Sequence, residues 1–565
     1  MAATTRSSTT TAAGGGGAGG GGGKGKGKGG GGSSELLPAT IDDFRSPAYW
    51  RRFFEARGGR AFEWYGDYAA HFRSNWLAVA AAAAPHAGPH ASSGAAGVSA
   101  GGAAAAAAAA RLRVLVIGCG NSALSAQLYA DGFTDLLSVD FDAGVIAEMA
   151  AKHAGAAGMR WQVMDVTDMA TLGDASFDAV VDKGTIDAML TDGSEAVTAA
   201  VGRMMREVAR VLVPGGVYFT VTLAQDHLLR HYLSTIANRR LWAGCVLETF
   251  HNVDFASPSA QFVCVATRAE ASPGGDAGDV PVTVRVPHSF DAPAADGGGG
   301  GGKRGGKGRG KDKDGGGAAR AVETRVVTVP PMGDGGGGEE AQRAAVEAVV
   351  AMVHEVQWSF TTFKQLASVH PDHYVALDVW VPPGGSAGEA HALVLSPAGA
   401  PSPVGAPGDA PALTPRFTLT VVDVSLAPSA AVVLVPQGRE HEWSFAVKEG
   451  QLQVARGARK YGRVIFVALN RGHVFASQKA VQEELSPVIV RLLPPEMRAA
   501  AGSVPFLAVA DDIGAREGVE SGTSPLSGAY VVEDVAVDDD DDGGAAGSVY
   551  ARRLVFLSNR NSIQS

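Results

Sequence analysis

Between Leu112 and Asp140 the chain reads Leu-Arg-Val-Leu-Val-Ile-Gly-Cys-Gly-Asn-Ser, then one helix length, then Leu-Leu-Ser-Val-Asp. A buried strand that ends in a glycine turn, followed by a helix and a second strand closed by a carboxylate, is how an open α/β sheet holds a nucleoside-bearing cofactor. The glycines let the backbone approach the ligand, and an acid about 20 residues on accepts hydrogen bonds from ribose hydroxyls. Gly118, Gly120 and Asp140 occupy those places. With Ala123 as third small residue, Gly118-Cys119-Gly120-Asn121-Ser122-Ala123 also satisfies the dinucleotide fingerprint, so an NAD-dependent oxidoreductase is an alternative.

The strands that follow separate the two. Trp161-Gln162-Val163-Met164 ends on Asp165, and Phe177-Asp178-Ala179-Val180-Val181 ends on Asp182-Lys183-Gly184-Thr185-Ile186-Asp187-Ala188. One such acid alone reads as a strand-end cap. Three successive strands delivering a carboxylate to one sheet edge, in register with a glycine turn, read as a ligand site. The pattern resembles the class I S-adenosylmethionine-dependent methyltransferases. That resemblance implies a Rossmann-like α/β fold with a seven-stranded sheet and S-adenosyl-L-methionine as cofactor. It implies Asp140 on the ribose, Asp165 near the adenine, and Gly118, Cys119, Gly120, Asn121, Phe141, Val166 and Asp182 around the same ligand.

At 565 residues the chain has room for two or three domains, and 46% hydrophobic content can fill their cores. Three stretches cannot: the Gly/Lys-rich residues 1–35, the Ala-rich insertion 80–110 and the Gly/Lys-rich tract 271–320. They read as disordered terminus, insertion and linker. A methyltransferase domain over 36–270 and a smaller α+β domain over 321–565 remain.

A net charge of −10 argues against a dedicated nucleic-acid binder, and the basic tract around Lys303 and Arg304 reads as solvated linker. The acidic run Asp538 to Asp542 reads as a solvated loop. Cys119, Cys245 and Cys264 form no C-x-x-C pair, which fits a reducing compartment and a cytoplasmic protein, and disfavours a thiolate zinc site. His370-Pro371-Asp372-His373 lacks further ligands and reads as a surface loop, so no metal is expected. No apolar run makes a convincing membrane span. The Ser/Thr-rich Met1 to Ala13 leaves organelle targeting as a lesser alternative.

After the glycine turn, Leu124 and Leu128 share a helix face, as do Val145, Ile146 and Met149 in the next helix. Val197, Val201, Met204, Met205, Val208 and Val211 follow helical spacing, and Pro214-Gly215-Gly216 leads into the strand Val217 to Val221. Cys245 to Phe250 and Gln261 to Thr267 suit a closing antiparallel hairpin.

The end of the fourth strand also speaks to the substrate. Methyltransferases of adenine or glutamine amides typically carry Asn/Asp-Pro-Pro-aromatic there to hold a planar nitrogen. Asp182-Lys183-Gly184-Thr185 is different, and an amine fits better. A lysine ε-amine, with a reference pKa near ~10.4, must be desolvated and aimed at the methyl group. Asp182 or Glu63 could supply the carboxylate, Lys183, which follows Asp182 in the chain, is a further catalytic candidate, and Phe62, Trp64 and Tyr65 could be aromatic walls. Phe62-Glu63-Trp64-Tyr65-Gly66 reads equally well as helix-end packing.

Tyr49-Trp50-Arg51-Arg52-Phe53-Phe54, Phe62 to Gly66, Val116 to Ser122, Asp182 to Ala188 and Leu223-Ala224-Gln225 resemble the N-terminal domain of the eukaryotic elongation factor 1-alpha lysine and N-terminal methyltransferase family. Arg416 to Val422, Val435 to Trp443, Pro525 to Tyr530 and Arg553 to Asn561 resemble its middle region. The resemblance implies a protein-lysine methyltransferase whose partner is translation elongation factor 1-alpha. In the family a second methyltransferase domain follows, and Ser565 stands where it would begin, so N-terminal methylation is not carried over. The 321–565 region, with strands broken by Pro and Gly and helices over Ala341 to Val356 and Ala480 to Leu492, shows no glycine cofactor turn and is expected to dock substrate or act as scaffold. A small-amine methyltransferase and a non-catalytic cofactor-binding scaffold remain as alternatives.

Overall fold

The computed structural model describes residues 40–83, 112–250, 257–270, 279–287, 322–331, 336–380, 394–399, 415–500, 504–508, 516–537, 549–556 and 563–564, short gaps inside these stretches aside. Residues 1–35, most of 80–110, most of 271–320 with the basic tract, and the acidic run Asp538 to Asp542 lie outside the described residues.

Helix α1, Pro47–Arg57, starts where the Ser46 side chain accepts from the Tyr49 N–H at 3.3 Å and Pro47 opens the first turn. A π-turn over Tyr68–Phe72, capped by Asp67, leads into α2, Arg73–Ala83. Ala80 to Ala83, assigned above to the insertion, instead continue this helix, because Trp76 and Ala80 bury one face of it.

Parallel strands β1 (Arg113–Ile117), β2 (Asp135–Asp140), β3 (Met159–Val163), β4 (Phe177–Lys183) and β5 (Leu212–Thr222) follow, with α3 (Leu124–Ala130), α4 (Ala143–Lys152), α5 (Thr185–Met189) and α6 (Glu195–Val211) between them. The apolar residues of α6 picked out by spacing are buried. Each such large side chain contributes about 1.5–3 kcal/mol. Helix α7 (Asp226–Ile236) precedes β6 (Trp242–Thr249) and β7 (Phe262–Arg268), which pair antiparallel as expected.

The sheet does not stop at seven strands. Its order is β3-β2-β1-β4-β5-β7-β6-β8-β9, where β8 is Val280–Pro287 and β9 is Val322–Val329. The seven expected strands are present as β3-β2-β1-β4-β5-β7-β6, extended at the β6 edge by β8 and β9, and the expectation of a linker throughout 271–320 is corrected, since β8 lies within it. Val280, Val282, Val284 and Val286 alternate with outward residues, and that period-two stripe is buried, while β8 runs parallel to β6.

Helix α8, Gly336–Leu366, lies on β8, β9 and α7. It leads into β10 (Tyr374–Trp380), β11 (Val394–Pro397), β12 (Phe417–Asp423) and β13 (Ala430–Leu434), then α9 (Trp443–Ala446), α10 (Lys448–Gly457), β14 (Arg463–Leu469), α11 (Gln478–Arg491), α12 (Pro495–Ala500) and β15 (Phe506–Ala508). These strands form a six-stranded sheet of order β11-β10-β12-β14-β13-β15. A four-stranded meander of β16 (Arg516–Ser524), β17 (Gly528–Val537), β18 (Val549–Phe556) and β19 (Ile563–Gln564) closes the chain.

The two halves share one hydrophobic core that runs from Leu115 through Val349, Val353 and Phe360 of α8 to Leu485 and Val504. Polar pairs reinforce the junction: Arg230 with Glu347 at 2.7 Å, and His354 with Asp226 at 2.7 Å. Gln357 grips the backbone of Ala260 through both its amide atoms, at 3.0 Å each.

Candidate active site

The carboxyl ends of β1, β2 and β4, with the residues just after β3, open onto a cavity of about 520 Å³ lined by Gly118 to Ser122, Asp140, Phe141, Met164, Asp165, Val166, Lys183, Gly184 and Thr185. The glycine turn is shaped by necessity. Gly118 has φ +55°, and a Cβ there would lie 2.2 Å from the Thr185 hydroxyl. That hydroxyl in turn donates to the Ile117 carbonyl at 3.1 Å, clamping α5 to the end of β1.

Asp140 is 4% exposed and accepts the Gly120 N–H and the Asp142 N–H, at 3.0 Å each. Burial raises its carboxyl above the usual range, and these two donors pull it back. Its oxygens keep lone pairs for a further donor on the cavity side. Asp165 is exposed, binds the Thr167 N–H at 2.8 Å, and stands between Met164 and Val166, two apolar walls for a flat ring. Cys119 lines the same turn as a buried thiol, its N–H on the Val139 carbonyl. Asn121 donates to the Arg60 carbonyl at 3.0 Å, tying the turn to the N-terminal segment. A hydroxyl pair at Asp140, an aromatic base between Met164, Phe141 and Val166, and close backbone approach at Gly118 and Gly120 together fit the ribose, adenine and amino-acid ends of S-adenosylmethionine.

Asp182 is placed differently from the sequence expectation. It is fully buried beneath the cavity rather than in its wall. Its oxygens accept from Thr185 N–H at 2.7 Å, Ile186 N–H at 3.2 Å and the Tyr218 hydroxyl at 2.7 Å. Burial pushes its carboxyl up to about 6 against those three donors. It caps α5 and holds the post-strand turn, and it is not among the residues that line the cavity. Glu63 is also committed elsewhere. One oxygen takes Lys183 Nζ at 2.8 Å and the Ser122 hydroxyl at 2.7 Å, the other takes the Ala123 N–H at 2.6 Å.

Lys183 therefore acts as a clasp. Its ammonium, 5% exposed, binds Glu63 and the Trp64 carbonyl at 2.9 Å. Burial lowers its pKa and the Glu63 charge opposes that shift. The clasp pins the 62–66 segment across β4 and the start of α3. Phe62 and Trp64 line the cavity as expected, with ring centroids 4.7 Å apart. Tyr65 lies outside the lining and packs behind Gly184, where an added Cβ would sit 2.9 Å from its ring.

Sequence reading missed Phe44, Trp50 and Phe54, which complete the aromatic wall. The Trp50 indole donates to the Phe44 carbonyl at 2.7 Å, and Trp50 stacks on Phe54. Their signal was available: Trp50 and Phe54 stand four apart in a strongly aromatic helix. Among the described residues no group of three metal-ligating side chains occurs, and no helix is long and apolar enough to cross a membrane. His373, from the His370-Pro371-Asp372-His373 segment, faces the buried Asp423 at 3.6 Å.

Strand order, the glycine turn and the strand-end acids define a class I methyltransferase domain, and the family model described as "Methyltransferase domain" matches residues 115–220. Over 544 residues, 94% of the chain, it is 33% identical to the "eEF1A lysine and N-terminal methyltransferase" of Bos taurus and 32% to that of Homo sapiens. It spans 60% of the length of each of these relatives. Over 205 residues it is 35% identical to the "EEF1A lysine methyltransferase 4" of Mus musculus, covering 35% of this chain and 68% of that protein. The chain belongs to the eEF1A lysine methyltransferase family.

Proposed function

We propose that this chain is an S-adenosylmethionine-dependent protein-lysine methyltransferase whose substrate is a lysine of elongation factor 1A. The observation that carries the reading is the cavity at the sheet's carboxyl edge, where the Gly118–Gly120 turn, Asp140, Asp165 and an aromatic wall converge. The names of its relatives support the substrate.

When bound, S-adenosylmethionine supplies an electrophilic methyl group on a sulfonium. Asp140 would hold the ribose hydroxyls, Asp165 with Met164 and Val166 the adenine, and the Gly118–Gly120 backbone the amino-acid end. Phe44, Trp50, Phe54, Phe62 and Trp64 exclude water and offer ring faces to cationic groups, each such contact being worth about 0.5–2 kcal/mol. The Glu63–Lys183 clasp keeps that wall closed over the cavity. The three free thiols suit a reducing cytoplasm.

The test has two parts. Calorimetry should show S-adenosylmethionine binding and no NAD binding. Labelled methyl added to a eukaryotic lysate with the enzyme should appear in the elongation factor 1A band; label confined to other bands would reject the substrate.

A further inference from the structure

The turn after β4 carries a second carboxylate that cofactor binding does not use. Asp187 lies off the face of α5 whose Thr185, Ala188 and Met189 line the cavity. Its Oδ1 accepts from the Thr222 hydroxyl at 3.0 Å and the Leu223 N–H at 3.1 Å. Its Oδ2 is buried and has no partner within ordinary hydrogen-bond geometry among the described residues. The group closest to pairing with it is the Tyr65 phenol, which burial keeps protonated, with the Asp187 and Asp182 charges and a hydrogen-bonding interaction with Asp187 adding to the effect.

A half-paired buried carboxylate costs about 1–3 kcal/mol, and native proteins keep few of them without a use. Backbone strain gathers at the same place. Tyr65 (φ +58°) and Ala224 (φ +52°) are two of the three non-glycine residues with positive φ among the described residues. Tyr65 carries the neighbouring phenol, and the Ala224 N–H donates at 2.9 Å to the Thr222 hydroxyl that binds Asp187. Strain of about 1–3 kcal/mol per residue persists where function requires the geometry. Tyr65 packs against Gly184, which itself lines the cavity.

We propose that Asp187 and Tyr65 form the receiving site for the acceptor ammonium and that Asp187 takes its proton before methyl transfer. The proposal rests on the methyltransferase reading above. The ammonium R–NH3+ gives one proton to the Asp187 carboxylate, leaving R–NH2 and a carboxylic acid, while the Tyr65 oxygen accepts an N–H and aims the lone pair. That lone pair forms the N–C bond to the methyl carbon as the C–S bond breaks and its electron pair stays on sulfur. The product leaves as a methylammonium, and Asp187 resets by releasing its proton to water.

The site favours this transfer because desolvation moves the two groups toward each other, raising a carboxyl and lowering an ammonium. Burial pushes Asp187 up to about 7; the Leu223 N–H and Thr222 hydroxyl oppose it and the Asp182 charge adds to it. The titratable groups facing it are Asp182 from β4 and Tyr65 from the 62–66 segment.

The test uses the full chain with an acceptor that the wild type methylates. Asp187→Asn should slow single-turnover methyl transfer by about 10²–10⁴-fold, with S-adenosylhomocysteine affinity held within about threefold. Tyr65→Phe, which keeps the ring on Gly184, should slow it about tenfold. A second readout needs no turnover: with S-adenosylhomocysteine bound, wild-type affinity for the acceptor should weaken as pH falls through about 7. Asp187→Asn should abolish that dependence. Wild-type rates in both variants would overturn the proposal alone, and so would wild-type acceptor affinity that stays flat across that range, even if Asp187→Asn fails to fold. A wild type that methylates no amine would overturn the methyltransferase reading and the proposal with it.

Discussion

Asp182 in the methyltransferase half and Asp423 in the second half are both fully buried, yet the molecule handles their charge in opposite ways. Asp423 receives a two-pronged guanidinium from Arg463, at 2.7 and 2.8 Å. Arg463 spends its remaining donors on the carbonyls of Leu366, Ser368 and Leu492. One ion pair thereby joins α8, β12, β14 and the end of α11. Asp182 and its neighbour Asp187 have only neutral donors, and both carboxyls are pushed up toward neutrality. Charge that is sealed by a cation holds a fold together. Charge left without one stays available to titrate, and it sits where the sheet opens onto its cavity.

The comparison breaks first at the cavity. Gly118→Arg should reduce cofactor affinity at least about 100-fold by calorimetry, since even a Cβ meets Thr185, while circular dichroism keeps the folded signature. Normal titration by this variant would refute the site. The sealed pair should show its effect in stability instead. Arg463→Met leaves Asp423 buried without its guanidinium, with only the His370 N–H and the nearby His373 ring on that carboxylate, so urea unfolding should give a loss of about 3–5 kcal/mol, with unchanged cofactor affinity in the folded fraction. Adding Asp423→Leu should recover most of that loss; no recovery would mean that Arg463 acts through its carbonyl contacts rather than the ion pair.

Smaller effects sharpen the contrast. Lys183→Met opens the clasp and strands Glu63, and should weaken cofactor binding about tenfold, because the aromatic wall loses its anchor. Unchanged affinity would leave the clasp a purely structural pair. The smallest effect is on pH dependence. Asp182 and Asp187 rise from 3.8 unfolded to about 6 and about 7 folded, so the native state holds the extra protons and these groups lose stabilisation as pH rises through that window. The melting temperature of Asp187→Asn relative to wild type should therefore increase by a few °C between about pH 4 and about pH 8. A difference that does not change with pH would contradict the raised Asp187.

Much of the methyltransferase-fold half was legible because its signals are local. A glycine turn and strand-end acids lie within a few residues of the elements they terminate, and α6 repeats its apolar residues every three or four positions. The roles of Glu63 and Lys183 were not legible, since their partnership spans 120 residues and depends on how the N-terminal segment folds back. Asp182 misled for a related reason: sequence places an acid at the strand end but does not say that Tyr218 and the α5 N–H groups consume it. Strand β8 was readable as Val-x-Val-x-Val-x-Val, but the glycine-rich composition around it masked a short strand whose partner, β6, lies more than 30 residues earlier. The continuity of the core through α8 could not be read from composition at all, because it depends on which face of that helix meets β8 and β9.

The central claim is that the cavity delivers a methyl group to a lysine of elongation factor 1A. It is tested most directly by incubating the full chain with purified elongation factor 1A and methyl-labelled S-adenosylmethionine, then mapping the labelled peptide. Label on an internal lysine side chain is the expected result. Intact cofactor binding with no label on any lysine of the factor would contradict it.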